Sequence, residues 1–224
     1  MSHHSRYAVY FMPRPGGLAS FGAHWLGWDA QAGCDIAKLG VADIGSLTEA
    51  PHKYGFHGTL KPPFRLAEGC DVAGLDAAMA ALAGRTEPAQ AEGLALTRLG
   101  RFFALTPVGD VSGISRVAAA CVTELDAFRA PASAEELARR RKAHLSDRQD
   151  ALLTAWGYPY VLDQFRFHLT LTGKVPKPQL DAVQAEIQTH LPDLPAPFEL
   201  ADICLCGERG DGRFELLHRY PLCG

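Results

Sequence analysis

The chain has 224 residues, 47% of them hydrophobic and 21% charged, with a formal net charge of −3 at pH 7 and a pI near 6.3. These values suit a globular chain with a sizeable core, and they exclude a strongly basic surface for gripping long nucleic acid. No apolar run approaches the roughly 18 residues of a membrane span. The first apolar run, residues 7–12, is too short for an export signal, so a cytoplasmic location and reduced thiols are expected. The six cysteines, Cys34, Cys70, Cys121, Cys204, Cys206 and Cys223, show no C-x-x-C spacing and read as packing residues.

In chain order, residues 7–12 form a predicted strand, stopped by Pro13-Arg14-Pro15-Gly16-Gly17. Leu18, Phe21, Trp25, Leu26 and Trp28 give residues 18–29 a helical apolar stripe. A loop with Gly33, Gly40 and Gly45 leads through Pro51 to a second strand, expected to end at Lys61-Pro62-Pro63 because proline cannot continue a ladder. A helix follows over 71–82, with Asp71 as N-cap and Gly84 just past its end. Residues 92–99 and 101–105 form a hairpin about Gly100, and 112–128 a long helix. Residues 131–150 are a polar insertion, opened by the capping box Ser133 to Glu136 and carrying the basic cluster Arg139-Arg140-Arg141-Lys142. That cluster reads first as a solvated helix end. A helix over 147–156, a strand over 165–172, a helix over 178–191 and strands over 198–206 and 213–218 complete the chain.

Two of the strands carry the same pentapeptide. Phe56-His57-Gly58-Thr59-Leu60 and Phe167-His168-Leu169-Thr170-Leu171 both read Phe-His-x-Thr-Leu. On a strand, residues two apart share a face, so each copy sets an imidazole beside a hydroxyl. An imidazole moves protons near neutral pH and a hydroxyl donates to anions. Two other His-x-Ser triplets, His3-His4-Ser5 and His144-Leu145-Ser146, lack an apolar strand context and mark the background. The pentapeptides also head equivalent units. Each is followed by a helix and a hairpin whose second strand opens Arg-Phe-x-x-Leu, at Arg101 and at Arg213. His57 and Phe102 are 45 residues apart, His168 and Phe214 46. Such spacing indicates two copies of one unit with a cleft between them.

These paired H-x-T motifs resemble the two-histidine (2H) phosphoesterase superfamily. Tyr54-Gly55-Phe56-His57-Gly58-Thr59-Leu60-Lys61, Trp156-Gly157-Tyr158-Pro159-Tyr160 and Phe165-Arg166-Phe167-His168-Leu169-Thr170-Leu171-Thr172-Gly173 look more specifically like its bacterial phosphonate-metabolism-protein branch, often encoded beside carbon–phosphorus lyase genes. The resemblance implies an α+β fold of two pseudo-twofold-related lobes, each an antiparallel sheet backed by helices, with a central groove. The chain is then one bilobed domain over 1–224. Its first repeat unit covers about 54–110, its helical insertion about 131–156 and its second unit about 160–224.

The same resemblance implies His57, Thr59, His168 and Thr170 as catalytic residues. One histidine would deprotonate water and the other protonate the leaving alkoxide, while the threonines bind the non-bridging oxygens. The pseudo-symmetry leaves open which histidine does which. Tyr54, Lys61, Arg101 and Arg213 are candidates for substrate binding, Lys61 because plain alternation sets it on the Thr59 face. Neither motif supplies a metal-ligand set, and no cofactor is expected. No P-loop, Rossmann glycine pattern or G-x-S-x-G elbow is present. The expected substrate is a small cyclic phosphodiester, by gene-neighbourhood analogy 5-phosphoribosyl 1,2-cyclic phosphate. The alternatives are a 2′,3′-cyclic phosphate at a short RNA end, or a module that binds a phosphorylated ligand without turnover.

Overall fold

The computed structural model describes residues 4–224; His3, and with it part of the His3-His4-Ser5 triplet, lies outside the described residues. His4 pairs with Glu215 at 2.9 Å, and His144 is exposed.

The first strand, β1 (Tyr7–Phe11), is apolar throughout because both its faces are covered. Helix α1 (Gly17–Leu26) ends at Gly27, whose φ of 78° suits a left-handed C-cap. A two-residue ribbon, β2 (Trp28–Asp29) with β3 (Cys34–Asp35), leads to α2 (Ile44–His52). The sequence reads α2 as loop. Gly45 hides its start, and Pro51 falls in its last turn, the end where proline is poorly placed by propensity. Strand β4 (Gly58–Phe64) carries the first motif and α3 (Val72–Gly84) follows it, with the Asp71 side chain capping the Gly74 N–H at 2.8 Å. Then come β5 (Ala89–Ala91), the hairpin β6 (Gly93–Leu99) and β7 (Phe102–Val108), and α4 (Ser112–Glu124). The insertion holds α5 (Ala134–Arg141) and α6 (Asp147–Trp156), each opened by a complete capping box. The second half contains β8 (Leu169–Thr170), α7 (Leu180–His190), β9 (Phe198–Leu200), and the hairpin β10 (Asp202–Glu208) and β11 (Phe214–Pro221).

The fold is α+β with antiparallel sheets. Seven strands join in one sheet ordered β11-β10-β1-β4-β8-β7-β6. The two motif strands sit side by side in its middle. Each hairpin lies in the other unit's half: β6–β7 pairs with the second motif strand, and β10–β11 reaches the first through β1. The lobes are therefore halves of one sheet rather than separate layers. They meet at the single pair Gly58↔Leu169 and at the short ribbon β5–β9, centred on Gln90↔Glu199.

The main core lies between one sheet face and the helices. Tyr7, Val9 and Phe11 of β1, Leu60 and Phe64 of β4, and Phe103 and Leu105 of β7 meet Leu75, Met79 and Leu82 of α3, and Ile114, Val117 and Cys121 of α4. Each helix trio follows the three-to-four-residue spacing of one face. A smaller cluster on the opposite face joins Ala8, Tyr10 and Met12 to Cys204, Cys206 and Phe214, closed by Trp28 and Ala30. The cysteines are all free, and Cys121, Cys204 and Cys206 are buried as packing groups.

Three strand predictions differ from the structure. The single strand expected over 198–206 divides at Ala201 into β9 and β10, which lie in different sheets. Strand β4 runs through Pro62 and Pro63, because beyond Gly58 its edge toward β8 has no ladder to supply. The expected strand over 165–172 shortens to Leu169–Thr170, because the motif strands touch at one pair and diverge to either side.

Candidate functional site

A cavity of about 320 Å³ opens where the motif strands diverge, and both motif histidines line it. Tyr54, Phe102, Thr170, Thr172 and Lys174 share its wall, and Ala50 and Pro51 of α2 close one side. A larger cavity of about 570 Å³, near Pro13 and Pro195, shares none of these residues and has no histidine. The chemistry therefore selects the smaller one.

The two imidazoles are held alike. His57 Nδ1 donates to the Gly55 carbonyl at 2.9 Å, and His168 Nδ1 donates to the Arg166 carbonyl at 2.8 Å. Each acceptor is two residues upstream. A carbonyl only accepts, so both rings carry the Nδ1 proton and turn Nε2 toward the cleft. At His57 that nitrogen receives the Thr59 hydroxyl at 3.1 Å. At His168 it has no hydrogen-bond partner among the described residues.

Their surroundings differ. His57 lies under the ring of Tyr10, at a centroid distance of 3.9 Å, and beside Tyr54 at 5.9 Å. Burial pulls its pKa down from 6.5 to about 4, against the Gly55 hydrogen bond and with a further push from His168. His57 is therefore neutral at pH 7, and its Nε2 lone pair accepts the Thr59 hydroxyl. His168 has one aromatic neighbour, Phe102, at 5.9 Å.

Gly58 is required between His57 and Thr59. A β-carbon there would fall 2.6 Å from the Phe167 ring. The second motif tolerates Leu169, which faces the core. Thr172 is buried, accepts the Phe103 N–H at 3.0 Å and donates to the Gly173 carbonyl at 2.9 Å, tying β7 to the second motif.

The structure brings His57, His168, Thr170 and Tyr54 into one cavity, and fixes Thr59 to His57. Lys61 is a correction. Tyr10 pairs with Thr59, but Val9 pairs with Lys61, so Leu60 is an extra residue in β4. This bulge turns Lys61 to the opposite face. Its Nζ is buried, donates to the Val122 carbonyl near the end of α4 at 3.0 Å, and lies 3.5 Å from Asp126. Burial lowers its pKa to about 8, against the pull of Asp126.

Arg101 and Arg213 also lie outside the cavity wall. Arg101 donates to the Val175 carbonyl at 3.1 Å, while Arg213 is held by Asp211 at 2.9 Å and lies 4.1 Å over the Trp28 ring. Lys174 is the residue that sequence reasoning missed. Among the described residues that line the cavity it is the only lysine or arginine, and no aspartate or glutamate joins it. Its signal is the alternation of 168, 170, 172 and 174 past the second motif. Among the described residues, no three His, Cys, Asp or Glu side chains converge to hold a metal, and no helix is long and apolar enough to cross a membrane.

A cavity with two imidazoles, the hydroxyls of Tyr54, Thr170 and Thr172, one ammonium and no carboxylate attracts an anion and can exchange protons with it.

Comparisons with known proteins follow this geometry. The family model described as "Protein of unknown function (DUF1045)" matches residues 59–215. A curated protein named ribose 1,5-bisphosphate phosphokinase PhnN, from Janthinobacterium sp. (strain Marseille), is 37% identical over 185 residues, covering 80% of this chain and 41% of its own length. Its namesake from Laribacter hongkongensis (strain HLHK9) is 35% identical over 189 residues, covering 83% and 44%. The chain thus spans less than half the length of these curated relatives. Among solved structures, E. coli LigT complexed with 3′-AMP aligns over 99% of this chain and 100% of its own, at 16% identity and a TM-score of 0.47. TT0787 of Thermus thermophilus aligns over 98% of each chain, at 13% identity and a TM-score of 0.49.

Proposed function

This chain belongs to the DUF1045 family, and we propose that its cleft hydrolyses a small cyclic phosphodiester by paired-histidine acid–base chemistry. The observation that carries the reading is that both H-x-T histidines line one cavity with Nδ1 fixed and Nε2 turned inward.

His57 is the base. It is neutral at pH 7, and once the Thr59 hydroxyl turns from Nε2 to a phosphate oxygen the Nε2 lone pair takes a proton from water as the water oxygen attacks phosphorus. A base with a pKa of about 4 is weak, but a phosphate anion beside it favours its protonated form and strengthens it as substrate binds. His168 is the acid: beside the bound anion it holds a second proton, on Nε2, and gives it to the departing sugar oxygen. Thr59, Thr170 and Lys174 meet the non-bridging oxygens, where charge rests through the transition state.

The substrate this supports best is 5-phosphoribosyl 1,2-cyclic phosphate. Water adds at phosphorus, the bond from phosphorus to O2 breaks, O2 gains a proton, and the phosphate stays on C1. The product is ribose 1,5-bisphosphate, the compound for which the curated relatives are named. Their kinase name belongs to proteins more than twice the length of the aligned part. A hydrolase that makes this compound and a kinase that consumes it would be consecutive steps.

The test is ³¹P NMR of a panel containing 5-phosphoribosyl 1,2-cyclic phosphate, ribose 1,2-cyclic phosphate and a 2′,3′-cyclic nucleotide. Turnover of at least one ribose 1,2-cyclic phosphate, lost in a His57/His168 double variant, is expected. Turnover of the nucleotide alone would point to RNA ends, and binding without turnover to a non-catalytic module.

A further inference from the structure

The sheet face that carries His57 continues away from the catalytic cavity. Arg6 precedes β1 and keeps its ladder, since the Glu208 N–H donates to the Arg6 carbonyl at 2.8 Å. Alternation then sets Arg6, Ala8 and Tyr10 on one face. Contacts run along that face without a gap. Tyr10 lies against His57, Phe214 is 5.8 Å from Tyr10 and 5.5 Å from Tyr54, and the Arg6 guanidinium is 5.7 Å from Phe214. The insertion closes over the far end, where Arg140 of α5 and Arg6 line one recess of about 40 Å³ with Gly157.

Three groups along this path lack a polar partner. The Tyr10 hydroxyl is fully buried and is the only buried side-chain polar atom among the described residues with no hydrogen-bond partner. Such a group is costly to leave unsatisfied. Arg140 lies 4.7 Å over the Tyr158 ring and makes no ion pair among the described residues, whereas Arg141 beside it is held by Asp150 at 2.6 Å. Arg6 gives Nε and Nη2 to Glu208, leaving Nη1 without a partner among the described residues. The other arginines of the recess, Arg65 and Arg129, are paired with Glu136 and Asp126 as Arg6 is with Glu208, which leaves Arg140 as the recess arginine without an ion pair among the described residues. The phenols border this recess through direct contacts: Tyr158 lies under Arg140, and Tyr10 and Tyr54 both pack on Phe214, which Arg6 covers.

We infer that Arg6, Arg140 and the hydroxyls of Tyr10, Tyr54 and Tyr158 form a second anion subsite, which takes a phosphomonoester carried by the substrate of the His57–His168 cleft. Arg140 brings an uncompensated positive charge, Arg6 offers its Nη1 donor, and phenol donors meet the remaining oxygens of a group with three terminal oxygens. The insertion is then a specificity element. This inference rests on the hydrolase reading for its substrate, but its binding arm does not.

The experiment uses ribose 5-phosphate as a binding probe in calorimetry, together with kcat/KM for ribose 1,2-cyclic phosphate with and without the 5-phosphate. Arg140→Ala should weaken ribose 5-phosphate binding about tenfold or more, the loss of a charge-assisted hydrogen bond, and lower the preference for the phosphorylated substrate by a similar factor. Tyr10→Phe should weaken the probe while keeping or raising Tm, since it removes a buried unpartnered hydroxyl. Unchanged probe affinity and preference in Arg140→Ala would overturn the subsite. So would equal kcat/KM for the two substrates in the wild type, with the hydrolase reading intact. Arg140-dependent probe binding with no turnover of either substrate would instead overturn the hydrolase reading and leave the subsite standing.

Discussion

At His57 one contact sets the tautomer and the surroundings set the charge. The Gly55 carbonyl fixes the proton on Nδ1, and the Tyr10 ring and burial keep the imidazole neutral. His57→Gln and His168→Gln should each lower kcat/KM by about a hundredfold or more, the usual worth of a general acid or base, with Tm largely kept. In the wild type, kcat/KM should rise through about pH 4 as His57 loses its proton. Stability follows the same group. The folded pKa lies below the unfolded value, so the unfolded chain binds the proton more readily. The stabilisation is present above pH 6.5 and is lost as pH falls toward about 4. Thermal melts across that window should show an acid loss of a few kcal/mol at most, and His57→Gln should flatten it. His57, His168 and Thr170 are legible in the sequence because duplication and strand alternation are local. Lys61 is not, because one bulged residue reverses alternation and bulges are set by the neighbouring strand. Lys61→Met should leave kcat/KM within about twofold, whereas Lys174→Met should raise KM roughly tenfold, as expected for a lost charge-assisted contact.

At the scale of elements, the helices with regular apolar spacing and clear caps, α3, α5 and α6, are readable from their own residues. Helix α2 is not, since a glycine and a proline mask it, yet it walls the cavity through Ala50 and Pro51. The extent of β4 and β8 is equally hidden, because strand length here depends on which edge finds a partner. Gly58 is the element-scale constraint. The motif strands approach closely only because no β-carbon stands between β4 and the Phe167 ring. Gly58→Ala should cost about 1–3 kcal/mol in chemical denaturation, the usual penalty of overpacking.

In the whole molecule, the two units hold each other's hairpins, which the sequence does not disclose: the order of units along a chain says nothing of which strand a hairpin joins. Neither half carries a complete sheet. Thermal unfolding should therefore be a single transition, with circular dichroism and loss of hydrolysis coinciding. A fragment of residues 1–130 should stay unfolded alone, and co-expression with 131–224 should restore the native spectrum.

The junction Gly58↔Leu169 has a mechanical consequence. One residue pair and a three-residue ribbon are the only strand pairings among the described residues that join the sheet's halves along that line, so it is the compliant seam of the sheet. The histidines straddle the seam, and small rotations about it change the span between them while leaving each half undistorted. A phosphate gripped from both sides acts as a clasp across it. Amide exchange at Leu169 and Thr170 should slow when inorganic phosphate binds, while exchange in β10 and β11, far from the seam, stays as it was.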